Sequence, residues 1–256
     1  MSGHLWLVVP AAGQGRRMGA DRPKQYLPLA GQPVLARTLA RLHEAFPEAR
    51  LCLCLDPDDG HFDPAWVPFA DWRRAPGGAE RVDSVVSALE AIAPDAAEDD
   101  LVLVHDVARP CVTVDDLVRL LSAIADDPVG GLLAARAADT MKRDDGAGRV
   151  RTTESREGLW HALTPQGFRY GLLRRALGEA LAAGVAVTDE ASAVEAAGHS
   201  PRLVSGRRDN LKITHPEDLI LAELVLSAQE LAAQATSRIY PEASARHEGN
   251  LSREYK

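Results

Sequence analysis

The sequence predicts an α/β fold with a mostly parallel sheet covered by helices on both faces. Short apolar runs of strand length alternate along the chain with longer segments of helical period. That alternation is the mark of strand–crossover–strand units. The first apolar run also passes directly into a glycine-rich loop, Pro10-Ala11-Ala12-Gly13-Gln14-Gly15-Arg16-Arg17-Met18-Gly19. In such folds this is where backbone N–H groups receive an anion. A polar segment in mid-chain stands apart and predicts a projecting β-hairpin arm.

Leu5 to Val9 is the first strand, stopped by Pro10. Val34 to Phe46 has helical spacing, with Val34, Leu35, Thr38, Leu39, Leu42 and Phe46 on one face. Leu51 to Leu55 is a second strand, Arg81 to Ile92 a helix, and Leu101 to Val104 a strand ending at His105-Asp106. Asp115-Asp116 opens a helix reaching about Ala125, its acidic residues suiting the positive helix end. Gly131 to Ala135 is a further strand. Two short runs then flank the turn Asp144-Asp145-Gly146-Ala147-Gly148, which reads as a hairpin. A lone hairpin is marginal in water, so it should pack on a second subunit. Helices follow over Arg169 to Ala183, Asp189 to Ala197 with Thr188 as N-cap, and Pro216 to Gln229, with a strand at Arg202 to Ser205. From about Ala233 the pattern turns polar. The expected organisation is one domain over 1–232, with the arm at about 137–157, and a poorly ordered tail over 233–256.

Composition narrows the function. A net charge of -8 argues against a general nucleic-acid surface. No segment reaches about 18 uninterrupted apolar residues, so no membrane span is expected. Cys52, Cys54 and Cys111 have no zinc-type spacing and cannot all pair. They read as small apolar packing residues in a reducing cytoplasm.

The loop carries the first chemistry. Gly13 and Gly15 let the backbone come close to a ligand. A dinucleotide fingerprint fails because the third glycine, Gly19, falls one position late. A Walker A loop fails because no Gly-Lys-Ser/Thr follows. Instead Arg16, Arg17 and Lys24 add cations. Cations beside a phosphate cradle suit a reaction that builds negative charge on phosphorus. The second feature is Asp106 at the carboxyl end of an apolar strand, the end that faces the ligand crevice in open parallel sheets. A carboxylate there can hold Mg²⁺ beside a triphosphate, and Asp209 is the candidate second carboxylate.

The loop followed by Pro23-Lys24-Gln25-Tyr26 resembles the signature of the 2-C-methyl-D-erythritol 4-phosphate cytidylyltransferases. The resemblance continues through Gly77 to Val85, Val104 to Pro110, Asp139 to Lys142, Leu159 to Gln166, Thr188 to Ser192 and Asp209 to Thr214. It implies a Rossmann-like fold of the nucleotide-diphospho-sugar transferase type, a homodimer joined through the arm, and a divalent cation. It implies that CTP is held by Ala11, Ala12, Gly13, Gly15, Arg17, Lys24, Gly78, Ala79, Ser84 and Asp106. Ala79 departs from relatives that carry a polar residue there. It implies that a sugar-alcohol phosphate is held by Asp106, Val107, Arg109, Thr140, Arg156, Thr164, Thr188 and Lys212. Arg17 and Lys24 would then stabilise the transition state, while Arg156 and Lys212 orient the nucleophile. Trp160 and His161 read equally as packing. Some relatives carry a second enzyme fused at the C-terminus, and the single activity is expected here. Ribitol-phosphate cytidylyltransferases share much of the pattern, and Thr140-Met141-Lys142 with Arg156 lean toward the methylerythritol substrate. A silent nucleotide-binding protein and a nicotinamide-dependent dehydrogenase are the more distant alternatives.

Overall fold

The computed structural model describes residues 3–239 apart from Gln14, Arg16, Arg17 and Ala20. Seven strands form one sheet in the order β11-β7-β10-β6-β1-β4-β5. These are β1 (Leu5–Pro10), β4 (Arg50–Leu55), β5 (Trp72–Pro76), β6 (Leu101–Val104), β7 (Gly130–Arg136), β10 (Trp160–Arg169) and β11 (Arg202–Ser205). All pairings are parallel except those of β10, which runs antiparallel to both β6 and β7. A small ribbon, β2 (Pro28–Leu29) with β3 (Gln32–Pro33), lies beside the first helix.

The apolar runs are near-continuous because each central strand is buried on both faces. On β1, Leu7 and Val9 enter one core and Trp6 and Val8 the other. The first core is closed by α1 (Val34–Ala45), α3 (Val114–Ile124) and α6 (Pro216–Ile239). The second is closed by α2 (Arg81–Ile92), α4 (Tyr170–Ala182) and α5 (Glu190–Ala196). The expected α/β fold, mostly parallel with helices on both faces, is the one observed. Cys52 and Cys54 share the second core, and burial pushes the Cys52 thiol up to about 12.

Four details differ from the sequence reading. The edge strand β5 has the sequence Trp-Arg-Arg-Ala-Pro and only Ala75 is fully buried, so it carries no apolar run. Arginines along an edge also discourage pairing with another chain. The long strand β10 is interrupted in sequence by Pro165 and Gly167. Asp189, not Thr188, caps α5: its carboxylate accepts from the Ser192 N–H while the Ser192 hydroxyl faces back to the Asp189 N–H. Helix α6 runs to Ile239, ten residues beyond the expected end at Gln229, and residues 240–256 of the expected tail lie outside the described residues.

The mid-chain segment forms its own two-stranded sheet, β8 (Met141–Asp144) with β9 (Val150–Glu154). Most of its residues are exposed, with Val150 at 64 %.

Candidate active site

A cleft of about 560 Å³ opens at the carboxyl ends of β1 and β6, within the range of small-ligand sites. One wall is the glycine-rich loop with Lys24, and the other is built around Asp106 and Lys212.

The loop wall is fixed from behind. The Ala11 N–H donates to the Cys54 carbonyl, and its carbonyl accepts from the buried Gln25 amide at 2.6 Å. Ala11 is therefore an anchor: it does not line the cleft and has no N–H left for a triphosphate. Ala12, Gly13 and Gly15 do line it. Gly15 sits at φ +61°, and a Cβ there would lie 3.0 Å from the Lys24 stem. Only glycine takes that conformation while packing so closely. Gly13 has no positive φ, so its part is exposed backbone. Lys24 stands in a 3-10 turn over Lys24–Tyr26, and its Nζ donates to the Ile213 carbonyl at 2.9 Å. Arg17, the other expected loop cation, lies outside the described residues.

The turn after β5 closes the cleft's edge. Gly78, Ala79 and Ser84 all line it. The Ser84 hydroxyl accepts from the Gly78 N–H at 3.0 Å and donates to the Glu80 carbonyl. Ser84 thus shapes the turn, leaving other backbone groups of the turn to meet a ligand. Gly77 is required for a different reason: a Cβ there would come within 2.0 Å of the Ala12 Cβ.

The opposite wall is an ion-pair cluster. Asp106 is nearly buried, yet Arg81 Nε contacts Oδ1 at 2.7 Å and Lys212 Nζ contacts Oδ2 at 2.8 Å. Arg109 Nε lies 3.6 Å from Oδ2, an ion pair too long for a hydrogen bond. Burial pushes the Asp106 carboxyl up, but Arg81 and Lys212 overcome this and hold it well below the usual carboxylate range. Burial works to lower Arg81, and the charges of Glu190 and Asp106 more than reverse it, so Arg81 stays charged. Arg109 is pulled down by burial and donates to the Asn210 carbonyl at 2.6 Å.

Behind Asp106 sits a neutral relay. The Thr164 hydroxyl accepts from the Asp106 N–H at 3.1 Å and lies 3.0 Å from His105 Nδ1. His105 Nε2 lies 3.1 Å from the Arg109 carbonyl, which can only accept. This fixes the tautomer with the proton on Nε2, so Thr164 donates to Nδ1. Burial pushes the His105 imidazole down to about 4 and keeps it neutral. Thr164 is buried and committed here, so its side chain supports Asp106 and does not line the cleft.

Of the other expected acceptor residues, Asp106, Val107 and Lys212 line the cleft. Arg109 stands behind Asp106. Thr140 and Arg156 are exposed at the base of the hairpin, where an Arg156 nitrogen meets the Ala138 carbonyl. Thr188 is exposed before α5. Sequence reasoning missed Arg81 and Glu190 as parts of the site. Both stood inside motif blocks, but their pairing across α2 and α5 is visible only in three dimensions.

The family model for 2-C-methyl-D-erythritol 4-phosphate cytidylyltransferase (IspD) matches residues 5–228. The chain belongs to that family. It is 67 % identical over 235 residues to the 2-C-methyl-D-erythritol 4-phosphate cytidylyltransferase of Chromohalobacter salexigens, covering 92 % of this chain and 94 % of that protein. It is 55 % identical over 227 residues to the protein of the same name from Ectopseudomonas mendocina, covering 86 % and 94 %. Among solved structures, a 4-diphosphocytidyl-2C-methyl-D-erythritol synthase matches with a TM-score of 0.76 at 35 % identity, covering 88 % of this chain and 99 % of that one. The Francisella tularensis IspD matches at 0.72 and 32 %, covering 87 % and 100 %.

The expected metal pair does not assemble. Arg207 Nε lies 2.9 and 3.1 Å from the two Asp209 carboxylate oxygens, and Asp209 does not line the cleft. Asp106 has one oxygen on Arg81 and the other on Lys212. Among the described residues no cluster of three His, Cys, Asp or Glu side chains could hold an ion. Asp106 and Asp209 therefore do not form a two-carboxylate site between them. Among the described residues no helix is long and apolar enough to cross a membrane.

Proposed function

We infer that this chain transfers CMP from CTP to 2-C-methyl-D-erythritol 4-phosphate, giving 4-diphosphocytidyl-2-C-methyl-D-erythritol and pyrophosphate in non-mevalonate isoprenoid precursor synthesis. One observation carries the reading in the structure: a phosphate-type glycine loop with Lys24 faces the Arg81–Asp106–Lys212 cluster across one cleft. The family membership supplies the substrates.

The acceptor's phosphate oxygen attacks the α-phosphorus in line. The bond from that phosphorus to the bridging oxygen breaks, and pyrophosphate leaves with that oxygen. A phosphate monoester is largely ionised at neutral pH, second pKa about 6, so no strong base is required. Catalysis then comes from placing the two anions and stabilising the charge that builds between them. Arg17 and Lys24 are assigned to that charge. Lys212, its side chain 40 % exposed beside Asp106, is assigned to the acceptor phosphate. Arg156 and Thr140, at the base of the arm, are assigned to the acceptor in a neighbouring subunit. Arg109 and Thr188 are assigned to the acceptor side as well, with Arg109 acting through Asp106. The divalent cation that accompanies CTP is assigned to the triphosphate's own oxygens and water, where it would neutralise phosphate charge.

The exposed arm supports a homodimer, since a two-stranded sheet gains its stability by packing on something larger. Three buried, unbridged cysteines suit a reducing cytoplasm. The decisive assay offers CTP with either 2-C-methyl-D-erythritol 4-phosphate or ribitol 5-phosphate and follows pyrophosphate. Release is expected with the first. Release only with ribitol 5-phosphate would overturn the acceptor, and CTP binding without release from either would overturn the enzyme reading.

A further inference from the structure

Glu190 is 1 % exposed and lies outside the cleft. A buried carboxylate is costly unless it is paired and hydrogen-bonded. Here Arg81 supplies both, with Nη1 on Oε1 at 2.6 Å and Nη2 on Oε2 at 3.0 Å. The same planar guanidinium uses its remaining edge, Nε, on Asp106 Oδ1. A bidentate fork fixes the plane of the arginine as well as its position. Fixing that plane fixes where Asp106 Oδ1 sits, which leaves Oδ2 aimed at Lys212 Nζ. The chain Glu190–Arg81–Asp106–Lys212 thus runs from the first residue of α5, through the first residue of α2 and the loop just after β6, to the cation at the cleft.

We propose that Glu190 is a positioning residue for the transfer reaction, acting through Arg81 and Asp106 to set the place of the Lys212 ammonium. The charges make the case stronger than packing would. Arg81, Arg109 and Lys212 are three cations around two carboxylates. Without Glu190, Arg81 loses its fork and is free to swing. Asp106 Oδ1 then loses its fixed partner, and the carboxylate can turn toward Lys212 or Arg109. Lys212 would remain present, but its Nζ would no longer be held at one point. A misplacement of about 1 Å at such a group can cost on the order of 10²-fold in turnover.

The inference takes Lys212 as the acceptor-phosphate cation, and so rests on the function proposed above. The test is a double-mutant cycle in the full-length protein, using pyrophosphate release with the acceptor varied and then with CTP varied. Lys212→Ala alone tests the underlying assignment, and a normal rate there overturns both. Glu190→Gln is expected to lower kcat/KM for the acceptor on the order of tenfold or more while leaving the CTP affinity of the folded protein within about twofold. In the Lys212→Ala background the same substitution is expected to add little, because the group it positions is gone. Glu190→Asp keeps the charge and is expected to recover part of the loss. Equal losses from Glu190→Gln in both backgrounds overturn the proposal, as does a loss confined to CTP. If Glu190→Gln does not fold, Arg81→Lys serves in its place, keeping the charge and losing the fork. Unfolding of both variants shows a scaffold role only and overturns the proposal.

Discussion

Two residues of the cleft show how one environment can drive neighbours apart. Asp106 stays ionised because its cations outweigh its burial, while His105, one position earlier, stays neutral because burial outweighs everything else. The consequence for stability has a defined sign. His105 binds a proton near 6.5 when unfolded but only near 4 when folded, so below pH 6.5 the unfolded chain binds more protons. Stability is lost as pH falls from 6.5 toward 4, by on the order of 3 kcal/mol at most. Asp106 acts in the same direction at lower pH, since its depressed carboxyl loses stabilisation as pH falls from the ordinary carboxylate range. Urea midpoints at pH 7, 6 and 5 should therefore fall less steeply for His105→Gln than for the unaltered protein. Parallel slopes for the two proteins would refute this. At the same scale, Lys24→Ala is expected to lower kcat by about 10²–10³, as loss of one charge-stabilising donor does elsewhere. Near-normal turnover would remove Lys24 from the transition state.

At the scale of elements, the cleft is a junction of loops whose backbones nearly touch. The loop after β1 and the turn after β5 meet where Gly77 faces Ala12. Gly77→Ala should push the glycine-rich loop out of place and weaken CTP binding, measured by calorimetry. Ala12→Gly in the same chain removes the methyl that Gly77→Ala would strike and is expected to restore much of the affinity. Normal binding by the single variant, or no recovery in the double, would show that the two loops are not coupled in this way. The same junction explains what the sequence could reveal. Central strands such as β1, β4 and β6 are legible because burial on both faces writes them as apolar runs. Asp106 is legible because it ends such a run. Strand β5 is not, because an edge strand needs little apolar surface, and β10 is not, because Pro165 and Gly167 cut its pattern. Glu190 and Arg81 escape notice because their meaning lies in a contact 109 positions apart. Thr164 and Ala11 were read as ligand groups, yet their hydrogen bonds are spent on the frame that holds the site.

For the whole molecule, the question is how acceptor groups assigned through the family reach the cleft when they stand outside its lining. Lys24, Asp106 and Lys212 gather at the cleft, while Arg156 and Thr140 stand exposed at the root of an arm. A two-fold dimer resolves this if each arm reaches the other subunit, since symmetry then gives both sites the same parts. That arrangement has a consequence a one-chain site lacks. Lys24→Ala and Arg156→Ala are each expected to form nearly inactive homodimers. In a mixed dimer, one site combines both lesions and the other has neither. Co-refolding equal amounts should therefore restore activity to about a quarter of the unaltered protein, because about half of the dimers are mixed and each has one intact site. Pyrophosphate release before and after mixing measures it directly. No recovery in a preparation shown to contain mixed dimers would place Arg156 at its own chain's cleft, and the arm would then serve assembly alone.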